Sequence, residues 1–102
     1  MNIRVLKLVT GEELVAEVTM NNGSYTVKNP LRIMMVPPKS ANDGISIGLA
    51  PFAPYVDWEK GANIASEKVV FIMDAAKDLA AQYASIFSPL VLPNKSGLIV
   101  PR

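Results

Sequence analysis

Val5-Leu6-Lys7-Leu8-Val9-Thr10-Gly11-Glu12-Glu13-Leu14-Val15-Ala16-Glu17-Val18-Thr19-Met20-Asn21-Asn22-Gly23-Ser24-Tyr25-Thr26-Val27-Lys28 carries the pattern that decides the fold. Its first run is aliphatic and β-branched and ends at Thr10-Gly11, a turn signal. From Glu12 to Met20 the residues alternate. Leu14, Ala16, Val18 and Met20 share one face, and Glu13, Val15, Glu17 and Thr19 the other. Asn21-Asn22-Gly23 is a hairpin signal, because Asn and Gly accept positive φ at low cost. Ser24–Lys28 resumes a strand with Tyr25 and Val27 on one side. Asn29-Pro30 then predicts a bend or bulge, since Pro has no N–H for a ladder.

Further along, Leu31–Val36 is apolar on both faces except at Arg32, which fits a strand covered twice or one at a subunit contact. A polar loop over Pro37–Gly44 follows, then an alternating strand over Ile45–Leu49. Tyr55–Ser66 reads as a long loop carrying Asp57, Trp58, Glu59 and Lys60, and Glu67–Met73 as another strand. Asp74 has the chemistry of a helix N-cap. After it Ala76, Leu79, Ala80, Tyr83, Ile86 and Phe87 recur at helical spacing until Pro89. The expectation is mainly β: a strongly bent five-stranded antiparallel barrel over about residues 1–73, a helix over about 75–88, and an arm over about 89–102, all one domain.

Composition narrows the chemistry. In 102 residues there is neither Cys nor His, so disulfides, Cys/His zinc sites, thiol nucleophiles and imidazole bases are all excluded. Glu12, Glu13 and Glu17 form a carboxylate cluster that reads as a solvated strand face. We therefore expect no catalytic residue, no metal site and no cofactor. The apolar fraction of 50% is high for so small a chain, and self-assembly is a natural way to bury the excess. Net charge is +1, which neither demands nor excludes a nucleic-acid partner. With no secretory leader pattern and no apolar run long enough for a membrane span, a cytoplasmic location is expected, in the host cell if the source is viral.

Val5–Val18 resembles the first motif of the Sm-like (LSm) proteins. Gly11 matches the turn glycine. Ala16, five positions on, takes the small position where the family usually has Gly, and where a sharply bent strand leaves no room for bulk. Asn22 stands at the position of the family's loop Asp, with Tyr25 near its aromatic. The resemblance covers roughly the first thirty residues. The second motif is not recognisable near Ser66–Val70, where Lys68 stands in for its basic residue. The strand-then-helix ending is closer in look to divergent Sm-like proteins of marine phages than to cellular ones.

The resemblance implies a homo-oligomeric ring of about five to seven subunits joined by edge strands. It also implies binding of single-stranded RNA, or DNA, in RNA/DNA processing. Asn21, Asn22 and Tyr25 are then the candidate base contacts, and Lys28, Arg32 and Lys68 the candidate phosphate contacts. For each there is a plainer alternative: a hairpin turn, a core Tyr, ordinary solvated strand charges. The alternative function is a structural or protein-interaction ring without nucleic acid, with a protein partner held through the Trp58 loop.

Overall fold

The computed structural model describes residues 2–37, 40, 44 and 46–87. Six strands form one antiparallel sheet: β1 (Ile3–Leu8), β2 (Glu13–Asn21), β3 (Ser24–Val36), β4 (Ser46–Pro51), β5 (Ala62–Ala65) and β6 (Val69–Asp74). A 3-10 turn over Ser66–Lys68 joins β5 to β6, and one helix, α1 (Lys77–Phe87), ends the described chain. The sheet runs β4-β3-β2-β1-β6, and β5 pairs with the first part of β3. Long β3 thus holds β5 along Ser24–Val27 and β4 along Leu31–Val36 on the same edge.

The bend falls where Asn29-Pro30 predicts it. Val15 pairs with Leu31 and Glu17 with Lys28, so Ala16 alone faces two residues, Asn29 and Pro30. This is a β-bulge, and it turns the strand sharply. Asn29 adopts φ +50°, a left-handed conformation that Asn tolerates better than most side chains. Ala16 is fully buried on the concave side, as its small size demands.

The bulge divides the apolar residues into two cores. Leu6, Leu14, Ala16, Val18 and Val27 fill the concave face, with Leu8, Tyr25, Phe52, Ile64, Val69 and Ile72 packed against them. On the convex face Val15, Leu31 and Tyr83 are buried beside Ile3, Ile33, Leu49, Leu79 and Phe87. A helix of eleven residues is marginal alone, so α1 exists because this second core accepts its apolar stripe.

Four sequence expectations need correction. There are six strands, not five, because the expected loop over Tyr55–Ser66 contains β5. The strand expected from Glu67 starts at Val69, after the 3-10 turn. Asp74 does not cap the helix. It ends β6 opposite Arg4, 3.7 Å from that guanidinium, and α1 begins three residues later. The sheet is bent but not closed: among the described residues no ladder joins β6 to β4 or β5, and the 3-10 turn spans that side. The arm expected over about 89–102 lies outside the described residues.

Candidate nucleic-acid interface

The β2–β3 hairpin builds the candidate site. Backbone alternation sends Tyr25 and Val27 into the concave core, and Ser24, Thr26 and Lys28 to the opposite face. On that outer face a hydrogen-bonded chain crosses three strands. The Asn21 side-chain amide donates to the Thr26 hydroxyl, and the Thr26 hydroxyl donates to Asn63 Oδ1 at 2.9 Å. Asn63 lies opposite Thr26 in β5, so the pleat, not sequence proximity, unites them.

Next to this chain Gly61 holds φ +83°, and a Cβ there would lie 3.0 Å from Thr26 Cγ2 and 3.2 Å from Lys28 Cγ. The Lys28 stem therefore lies across Gly61. Lys28 is exposed and faces Glu17 across the β2–β3 pair. Asn22 is exposed at the hairpin tip, which is tied down where the Ser66 amide donates to the Gly23 carbonyl at 3.0 Å.

The six candidate residues are not gathered together. Asn21, Asn22 and Lys28 share the hairpin end. Tyr25 is half-buried, and its ring packs on the concave core. Arg32 lies past the bulge opposite Leu14, on the other face from Lys28, and close to Glu12. The Glu12 carboxyl sits below its ordinary range, first because Thr10 donates to it, then through its own backbone amide, with Arg32 adding a smaller pull. Lys68 is exposed on the 3-10 turn, whose carbonyl accepts from the Val9 amide at 2.9 Å. Thr26 and Asn63 were invisible to sequence reading, because each gains meaning only across a strand pair.

Trp58 is turned back on the fold. Its indole N–H donates to the Ala53 carbonyl at 2.9 Å and its ring lies 5.9 Å from that of Phe52. The Trp58 carbonyl accepts from Asn29 and Gly61, both at 3.1 Å, which moors the β4–β5 loop to the bulge. Among the described residues no group of three or more His, Cys, Asp or Glu is placed to hold a metal. No helix there is long and apolar enough to cross a membrane.

Apolar side chains stand uncovered at both ends of the strand order. Met34, Met35, Val36 and Ile47 are exposed where β3 and β4 project past the β1–β2 turn, and Val70, Phe71 and Met73 are exposed on β6. No protein-family model matches the chain, and no curated protein is similar to it.

Proposed function

We propose that this is a non-enzymatic, Sm-like assembly module. Copies join edge to edge into a homo-oligomeric ring that holds single-stranded nucleic acid, RNA first. In this reading the bent sheet, with the 3-10 turn across its open side, acts as a small barrel. The observation that carries the proposal is the pair of uncovered apolar edges. Among the described residues eight apolar side chains are buried, while twelve large ones stay exposed, seven of them at β3, β4 and β6. Two different free edges favour a head-to-tail contact, the kind that closes rings. Burying Met35, Phe71 or Met73 there would each contribute roughly 1.5–3 kcal/mol.

Nucleic acid fits the polar hairpin end. Asn and Thr side chains offer donors and acceptors to base edges, and one Lys28 per subunit becomes a ring of cations after assembly. Tyr25 is not the stacking residue in this scheme, because its ring packs on the core.

A second reading, a scaffold ring without nucleic acid, is favoured by the separation of Lys28, Arg32 and Lys68 onto different parts of the surface. Fluorescence anisotropy with labelled poly-U, poly-A and single-stranded DNA at two salt concentrations separates the two, on protein sized by light scattering. The proposal expects binding by the oligomer that weakens steeply with salt. Asn63→Ala and Lys28→Ala should each lower affinity, by about threefold to tenfold for losing a hydrogen bond or phosphate contact. An oligomer that binds none of the three probes at low salt leaves the scaffold reading.

A further inference from the structure

A cavity of about 440 Å³ opens between the β4–β5 loop, the bulge and the C-terminal end of α1. Phe52, Trp58 and Phe87 give it three aromatic walls, each half-buried and still facing water. Asp57 and Glu59 line it too, both exposed, so the carboxylates on either side of Trp58 in the chain border one apolar space. Among the described residues no Lys or Arg lines it. Lys60, 3.8 Å from Asp57, is not one of the walls. The walls are also short of free donors. Pro30, Pro51 and Pro54 have no N–H. The amides of Asn29, Phe52, Val56 and Trp58 already donate to carbonyls of the fold, and the Trp58 indole donates to Ala53. The Asn29 side chain adds one neutral amide.

We propose that this cavity binds a small organic cation, an apolar body that ends in an ammonium or guanidinium group. The volume is within the range of sites that enclose most of a small ligand. The aromatic walls take the apolar body, and a ring face attracts a cation placed over it. Asp57 and Glu59 accept charge-assisted hydrogen bonds from the cationic end. The same features refuse other ligands. A phosphate or carboxylate would meet like charge and find few donors, so the occupant is not part of a nucleic-acid strand. An extended peptide held by its main chain needs open backbone partners, and four wall amides are spent while three wall residues are prolines. The site is therefore separate in ligand chemistry from the polar hairpin end and would serve any assembly that the chain forms.

Trp58 is the chain's single tryptophan, so its fluorescence reports on the cavity directly. The whole chain is titrated at fixed ionic strength with phenylbutylamine, phenylbutanol and phenylbutyrate, which share one apolar body and differ in charge. The amine should change the Trp58 emission saturably and bind about fivefold tighter than the alcohol, as expected for an ion pair near the surface, while the carboxylate binds weakest. Glu59→Gln should shrink the preference for the amine over the alcohol to about twofold and leave the alcohol's affinity unchanged. Equal affinity for amine and alcohol, tighter binding of the carboxylate, or no saturable change with any of the three would overturn the proposal. Nuclear magnetic resonance fixes the place. Amine-induced shifts at the Trp58 indole N–H and the Ile86 methyls support the assignment, whereas shifts confined to the exposed Met35 and Met73 methyls refute it. Both readouts use the unmodified chain, so they decide the matter even if the variant fails to fold.

Discussion

Tyr83 connects the two halves of the fold. Its ring is buried on the convex face, 4.9 Å from Phe87, and its hydroxyl reaches the carbonyls of Asn29 at 3.0 Å and Lys28 at 3.3 Å. Those carbonyls sit at the bulge, where the β2–β3 ladder is interrupted. Tyr83→Phe keeps the ring and removes the donor, so it should cost about 0.5–1.5 kcal/mol in urea denaturation, the net worth of a hydrogen bond. Burial, first, and the nearby Glu17 carboxylate push the Tyr83 phenol up to about 12, with the Glu17 backbone opposing. A pKa raised on folding means that this contribution is whole below the unfolded value near 10 and fades as pH climbs to about 12. The wild type should therefore lose stability over that window more steeply than Tyr83→Phe. Ala16 shows the opposite sensitivity. It is 0% exposed in the crook of the bend, so Ala16→Leu should destabilise by about 1–3 kcal/mol, or rearrange the bulge, as read from the same denaturation curves.

At the scale of elements, α1 depends on its seat. Leu79 and Phe87 flank Tyr83 on the convex core, and Leu79 is half-buried. Leu79→Ala should cost about 2 kcal/mol, the low end for a core leucine, and far-UV circular dichroism should show the helix melting before the strands. Much of this level was legible in the residues. The alternation of Glu12–Met20, the Asn-Gly turn and Asn29-Pro30 encode β2, the hairpin and the bend through strictly local chemistry. β5 was not legible, because its four residues include only one large apolar side chain, Ile64. Its strand character comes from β3, which offers an unpaired edge. Asp74 misled for a related reason: its capping chemistry is real, but pairing with Arg4 in β1 holds its backbone extended. The candidate site divides in the same way. Asn21 and Lys28 could be named from the hairpin, whereas the Thr26–Asn63 bond joins residues 37 apart in sequence, and the inward turn of Tyr25 depends on which face the core occupies.

For the whole molecule, the question is what covers the apolar edges. Met35 is 70% exposed on the β3–β4 ribbon, and Phe71 and Met73 line β6 at the far end of the strand order. Met35→Lys or Phe71→Lys removes apolar area at one edge only and leaves both cores intact. Either change should lower the mass measured by light scattering to that of smaller species without moving the circular dichroism spectrum. Mixing the two variants is the sharper test. A head-to-tail contact lets the intact edge of one pair with the intact edge of the other, giving mixed dimers that neither variant forms alone.

The bulge has a consequence beyond the single chain. In any assembly that joins β4 of one copy to β6 of the next, the rotation from copy to copy equals the angle between those two edges. That angle is set in part at Ala16 against Asn29-Pro30, and Tyr83 clamps it from the helix side. A tighter bend means a larger rotation per copy and fewer copies before the circle closes. The hydroxyl of one tyrosine would then act as a gauge of curvature, and subunit number would be decided in the interior of each chain as much as at its borders.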